Sequence, residues 1–296
     1  MSNSLSSVSA ETTPDQFVRS DEVEAGGAGR SEAFRRRFGE RVDAGSGEWN
    51  AVLERQFAHR SVRRFLEREV GDPELLTIVA AAQSAATSSN LQSWSVVSVR
   101  DRARLTRLAA AARQPFISAA PLLLVWVADY HRAGVVATDQ GGDISTVSYL
   151  EQTLTGFVDA AIAAQNAVLA AESLGLGTVI IGSIRNDPET VQAELGLPRH
   201  TFPVIAVALG YPDPEDTAGI KPRLAPTAVH HAERYRDADT LEEVRRYQEV
   251  IADYYRTQGS EYDWPAQVAA RVGDIAALSG REGIRGWLTD QGFDSH

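Results

Sequence analysis

Residues 156–185 read GFVDAAIAAQNAVLAAESLGLGTVIIGSIR, and the order of elements in this stretch decides the fold. Gly156 to Leu174 has the length and alanine content of a long helix, and Gly175 supplies the left-handed residue that ends it. Thr178 to Ile181 follows as a β-branched strand, and Gly182-Ser183 turns the chain out of it. Asp187-Pro188-Glu189 then opens another helix, with an acceptor before a proline at the first helical position. Small side chains on the long helix permit close backbone approach, so it is either central or part of a subunit interface.

Working outward, Trp94 to Val99, Leu122 to Val127 and Phe202 to Leu209 read as strands, and Arg102 to Ala112 reads as a helix. Asp72 as N-cap and Pro73 predict a helix with Leu75, Leu76, Ile78, Val79 and Ala82 on its inner side, stopping at Thr87-Ser88-Ser89-Asn90. Trp49, Val52, Leu53, Gln56 and Phe57 fall on one face of an earlier helix. Leu241 to Tyr255, Ala266 to Leu278 and Ile284 to Leu288 predict a helical C-terminal part. Strands alternate with helices, but several connections are short, which favours an α+β layered domain over a doubly wound parallel sheet. There is no internal repeat.

The 296 residues suffice for one large core or two modest ones. Residues 1–45 are rich in Ser, Gly, Glu and Arg and are expected to form a flexible extension, on which Phe34 and Phe38 could anchor a short helix. Residues 46–296 form the domain. The net charge of -11 disfavours sequence-independent nucleic-acid binding and attraction to anionic membranes. With no cysteine, disulfides, thiolate chemistry and Cys-ligated metals are excluded. The most apolar run, Pro121 to Ala128, is strand-sized. Met1 to Ala10 lacks the charged leader and apolar stretch of a secretory signal, and the expected location is cytoplasmic.

Against this acidic background, basic clusters read as sites. One lysine, Lys221, stands among 29 Lys plus Arg, in Lys221-Pro222-Arg223, where a compact ammonium suits a phosphate and a chance surface position is the alternative. The window Arg55 to Leu66 contains Arg55, His59, Arg60, Ser61, Arg63 and Arg64 and no acid. It is either a phosphate-monoester cradle or a solvated basic helix face. Ala86 to Gln92, with Ser88, Ser89, Asn90 and Gln92, is equipped to hydrogen-bond the edge of a heterocycle, or is a polar turn. Gly182, after the strand ending at Ile181, lets backbone N–H groups approach a flat ligand, or makes a tight turn. The nucleophile elbow, the phosphate loop, the zinc-protease pattern and the dinucleotide fingerprint are all missing. Adjacent His230 and His231 point two ways, and no metal is expected. A phosphate cradle without an acid–base constellation points to cofactor chemistry.

Five segments carry a family resemblance together: His59 to Phe65, Thr87 to Gln92, Ala163 to Gly177, Ile181 to Asn186 and Lys221 to Leu224. In order and spacing they resemble the FMN-dependent nitroreductase superfamily, in its branch of NADPH-linked oxygen-insensitive nitroreductases and flavin reductases, from about Trp49 to the C-terminus. The resemblance implies a homodimer with an α+β core, a C-terminal helical excursion and two FMN sites at the subunit interface. It implies that His59, Arg60, Ser61, Lys221 and Arg223 hold the phosphate end and that Arg63 reaches the ring system. Ser88, Ser89, Asn90, Gln92 and Gln114 would meet the ring, Gly182 and Ser183 would bring backbone donors to flavin N5, Ile181 would also contact the cofactor, and Arg281 would line the substrate pocket. Ser183 replaces a second glycine of many relatives, Ile180 replaces an aromatic residue of some, and Gln258 stands where NADPH-specific relatives can carry an arginine. The expected activity is ping-pong hydride transfer from NADPH or NADH through FMN to a small-molecule acceptor: a nitroaromatic, a quinone or a flavin. A dedicated flavin reductase and a non-catalytic flavin-storage protein are the alternatives.

Overall fold

The computed structural model describes residues 20–40, 42–294 and 296. Its centre is a four-stranded antiparallel sheet in the order β1 (Trp94–Val99), β2 (Leu122–Asp129), β4 (Thr201–Gly210), β3 (Gly177–Ile181). Strands β2 and β4 are the inner pair and are buried on both faces, which explains their nearly continuous apolar sequences. Pro203 lies inside β4 and cannot donate to the ladder. The register shifts there, between Trp126 and Val127 of β2, in a bulge that accommodates it.

Helices cover both faces. Helix α6 (Leu150–Ser173) and α3 (Asp72–Gln83) pack on one side, where Ala160, Ala163, Ala164, Ala167 and Ala171 meet Leu122, Leu124, Trp126 and Val207. On the other side α4 (Arg102–Ala112) and α7 (Pro188–Leu195) enclose Leu123, Val125, Ala206 and Ala208. The α+β layered architecture is the expected one. Helix α6 begins at Leu150, six residues before Gly156, because Leu150–Thr155 carries no glycine or proline to delay it. By length and composition it could cross a membrane; here its alanine face lies on the sheet, while Leu150, Leu154, Val158 and Ile162, four residues apart, form a 39–54% exposed stripe.

Local differences have local causes. Gly71, not Asp72, occupies the N-cap of α3, and Asp72 sits in its first turn, where a carboxylate favours the helix dipole. Leu75 packs on the core, but Leu76 is 71% exposed, since neighbouring helical positions lie about 100° apart. In α2 (Ala51–Ala58), capped by Asn50 Oδ1 at 3.1 Å from the Val52 and Leu53 amides, Val52 is likewise exposed.

The C-terminal part holds α8 (Thr240–Thr257), α9 (Trp264–Gly273) and α10 (Ile284–Asp290), with a separate 3-10 turn at Ile275–Leu278 where one continuous helix was expected. A short α5 (His131–Asp139) follows β2. Of the extension expected over 1–45, residues 1–19 lie outside the described residues. Helix α1 (Ser20–Phe38) ends in an aromatic cluster: Phe34 is 4.9 Å from Phe57 between ring centroids, Phe38 5.7 Å from Phe34, and Trp49 5.0 Å from Phe57.

Candidate functional site

The basic window is not a solvated helix face. Helix α2 stops at Ala58, and the chain from His59 onward runs beside β3: Val62 N–H donates to Thr178 O at 2.9 Å, and Ser61 bridges Thr178 in parallel. Extended backbone alternates its side chains, so Val62 is buried while Arg63 is exposed on the opposite side. Gly177 makes this approach possible. A Cβ there would lie 2.7 Å from Val62 Cγ2 and 2.8 Å from Val62 Cβ, closer than carbon atoms can pack.

The window and the Lys221 loop enclose a cavity of about 340 Å³. It brings together His59, Arg60, Ser61, Arg63, Lys221, Arg223 and Gln258 from distant parts of the sequence, and adds Arg37, Gly219, Tyr254 and Tyr255. Its lining holds five Lys or Arg side chains and no acid. A larger apolar cavity of about 650 Å³ lies between α1 and α8 and shares only Arg223 with the predicted residues.

Each wall has its own support. Glu172 of α6 accepts from His59 Nδ1 and Thr178 Oγ1, both at 2.6 Å. That leaves Nε2 as the uncommitted ring nitrogen of His59. Asp216 accepts from the Ala218 amide at 2.8 Å, the Arg63 amide at 3.2 Å and the Arg64 amide at 3.3 Å, with Arg60 Nη1 at 3.7 Å. Burial raises its pKa, but these amides and the Arg60 charge together outweigh burial and hold it below the ordinary value. Arg60 also donates to Ala218 O at 3.0 Å, which ties the window to the loop over the cavity. Lys221 Nζ lies 5.3 Å from the Tyr255 ring centre. The loop carbonyls are held by Tyr247 Oη, which donates to Pro222 O at 3.2 Å, and by Arg223 Nη1, which donates to Pro222 O at 3.2 Å and Lys221 O at 3.3 Å. Arg37, 7% exposed, donates to Lys221 O, Phe57 O and His59 O at 2.9, 2.6 and 2.8 Å. Burial first, then the Arg223 charge, lower its pKa, though an arginine remains cationic.

The remaining predicted residues do not line this cavity. Gly182 and Ser183 start a 3-10 turn, Gly182–Asn186, directly after β3. A Cβ at Gly182 would meet only the Arg185 guanidinium, at 3.5 Å, and its φ is not positive. The fold itself therefore does not require glycine there; open space above the backbone does suit a flat ligand. Arg185 anchors the turn by donating from Nη1 to Val204 O at the β4 bulge. Burial, and then the charge of Arg281, lower the Arg185 pKa, which places Arg281 electrostatically beside this turn. Ile181 is buried and Ile180 is exposed. Gln114 precedes the 3-10 turn Pro115–Ala119, whose Phe116 ring lies 5.9 Å from the Arg63 guanidinium carbon.

Ser88, Ser89, Asn90 and Gln92 form a loop organised by Asp159 of α6. Asp159 accepts from Thr87 Oγ1 at 2.5 Å and from the Ser88 and Ser93 amides at 3.1 and 3.2 Å. Ser89, Asn90 and Gln92 all have positive φ, between 49° and 55°, a run that a plain polar turn does not require.

Sequence reasoning assigned no role to Arg37, Asp159, Glu172, Arg185 or Asp216. Two of them carried a signal, since Asp159 and Glu172 are acids on the alanine-lined, core-facing side of α6, where a charge must be paired. Arg37 and Asp216 depend on contacts between segments far apart in the chain, and Arg185 on a carbonyl of the next strand.

Comparison with known proteins adds the family. Residues 57–211 match the model described as Nitroreductase family, and residues 221–296 match that described as Nitroreductase family, C-terminal domain. The chain is 37% identical over 227 residues to the FMN reductase [NAD(P)H] of Bacillus subtilis, covering 75% of this chain and 90% of that protein. It is 39% identical over 210 residues to the oxygen-insensitive NADPH nitroreductase of Salmonella typhimurium, covering 71% and 84%. The structure of B. megaterium NfrA2 superimposes with a TM-score of 0.78 at 37% identity, covering 83% of this chain and 99% of that one.

Proposed function

The chain belongs to the nitroreductase family, and we propose that it is an FMN-dependent NAD(P)H oxidoreductase that passes hydride by a ping-pong cycle to a nitroaromatic, quinone or flavin acceptor. The observation that carries this reading is the cavity with five permanent cations and no acid in a chain of net charge -11. A phosphate monoester brings about −1.5 to −2 charges and three acceptor oxygens, the complement of this lining. Lys221, Arg223, Arg60, Ser61 and His59 hold that group, His59 oriented by Glu172. The open backbone at Gly182 suits a planar ring, and Arg185 and Arg281 supply positive potential on that side, with Arg63 on the wall of the basic cavity.

Held by these residues, FMN would supply the hydride-transfer chemistry between nicotinamide and acceptor. The protein's part is to hold the phosphate, leave the face over Gly182 open to each substrate in turn, and stabilise negative charge. Gln258 lies on the cavity wall at the end of α8, and the role proposed for it is to meet the adenosine phosphate of the nucleotide.

The working unit we propose is a cytoplasmic homodimer paired through the exposed stripe of α6. The loop Ser88–Gln92 does not line the cavity of its own chain and hangs from Asp159, next to Val158 of that stripe. It is read as supplying ring contacts to the second copy. Initial rates with NADPH and with NADH, each varied against a nitroaromatic, a quinone or free FMN, test the reading. Parallel double-reciprocal lines support it, exclusive turnover of free flavin selects the dedicated flavin reductase, and no turnover with any acceptor refutes it in favour of flavin storage.

A further inference from the structure

Helix α1 precedes both matched family segments, residues 57–211 and 221–296, yet its last turn reaches the cavity. We infer that Arg37 is a positioning residue for the FMN phosphate, fastening the two halves of its cradle to each other; this rests on the reading of the cavity as a flavin phosphate site.

The two halves, His59 to Arg63 and Lys221 to Arg223, are both cationic, so charge alone drives them apart. Arg37 joins them without any carboxylate. One guanidinium nitrogen donates to Lys221 O at 2.9 Å, and the other donates to Phe57 O at 2.6 Å and His59 O at 2.8 Å. In return the Arg223 amide donates to Arg37 O at 2.8 Å, so the Lys221 loop is held to α1 from both sides. A planar fork with several fixed donors can span three carbonyls in this way; a lysine ammonium cannot reproduce the geometry. The aromatic cluster of Phe34, Phe38, Trp49 and Phe57 seats the turn that carries Arg37.

Arg37 makes its direct hydrogen bonds to carbonyls, with Glu172 acting on it only at longer range, and its side chain is buried at the edge of the cavity. Its direct partners are carbonyl dipoles, and Glu172 offsets the burial and the Arg223 charge only in part; a phosphate in the cavity would neutralise the positive potential that remains. Arg37 therefore matters to ligands that carry the phosphate and not to the ring alone.

The test is binding of FMN and of riboflavin, which lacks the phosphate, to full-length apo-protein carrying Arg37→Met, followed by flavin fluorescence. The expected result is FMN affinity lower by about ten- to a hundred-fold, the worth of a charge-assisted contact, with riboflavin affinity unchanged. Arg37→Lys should fall between wild type and Arg37→Met in FMN affinity; if the methionine variant does not fold, the FMN-to-riboflavin ratio of the lysine variant decides alone. Unchanged FMN affinity, or a parallel loss for both ligands, overturns the inference, the second result marking Arg37 as a general structural support. A wild-type protein that binds FMN no better than riboflavin overturns the phosphate-site reading itself, and the inference with it.

Discussion

Replacing Gly177 by alanine should displace the cradle through a single methyl group. The new Cβ would sit 2.7, 2.8 and 2.9 Å from Val62 Cγ2, Cβ and Cγ1. Carbon atoms pack at about 3.5 Å or more, so Val62 must retreat by about 0.8 Å. Val62 cannot retreat freely, because its amide is bonded to Thr178 O and its side chain is buried. A glycine-to-alanine change at an unstrained position normally stabilises by about 0.4 to 1 kcal/mol. Here overpacking should reverse the sign and cost about 1 to 3 kcal/mol in urea denaturation of the apo-protein. Arg60, Ser61 and Arg63 move with Val62, so losing even one charge-assisted phosphate contact lowers FMN affinity by about ten- to a hundred-fold. Adding Val62→Gly removes all three clashing atoms and should restore part of the affinity, a coupling readable as non-additivity in a double-mutant cycle. A Gly177→Ala protein as stable as wild type and with full FMN affinity would refute the argument that the basic segment is seated by this contact.

Lys221→Ala should weaken FMN by about ten- to a hundred-fold and leave riboflavin unaffected, as read by equilibrium titration. Gln258→Arg should favour NADPH over NADH by about five- to thirty-fold in flavin reduction rates, with the gain shrinking as salt is added; an unchanged ratio would place the adenosine phosphate elsewhere. Asp216 has a depressed pKa in the folded protein, so its stabilisation of the loop is present above the ordinary aspartate value of about 4 and is lost as pH falls through the lower folded value. FMN release should therefore set in below about pH 4, and Asp216→Asn should weaken FMN at neutral pH and flatten that acid limb. Leu154→Arg with Val158→Asp should convert the proposed dimer to monomer in light scattering; an unchanged mass would remove α6 as the interface.

What was legible in the sequence was what local chemistry dictates. Helix α4 occupies Arg102–Ala112 as read, Asp187 caps α7 through the Thr190 amide, and Gly175 with φ +81° follows α6 as its left-handed residue. The basic lining of the cavity was legible for a different reason, since basic residues concentrated in an acidic chain stand out wherever they fold. The supports were not legible. Glu172 and Asp159 hold segments 113 and 72 residues away in sequence, and Arg37 lies in a segment whose polar composition hid three partly buried hydrogen bonds. Apolar periodicity also cannot decide between neighbours such as Leu75 and Leu76, because only packing against α6 fixes the rotation of α3.

If this cavity holds FMN as a working redox group, anaerobic mixing of the purified FMN-loaded protein with NADPH or NADH, without any acceptor, must reduce the flavin. The account predicts that the visible flavin absorbance bleaches with at least one of the two nucleotides and returns when a nitroaromatic, quinone or free flavin is added. A bound flavin that neither nucleotide bleaches would contradict the account and make the protein a flavin carrier.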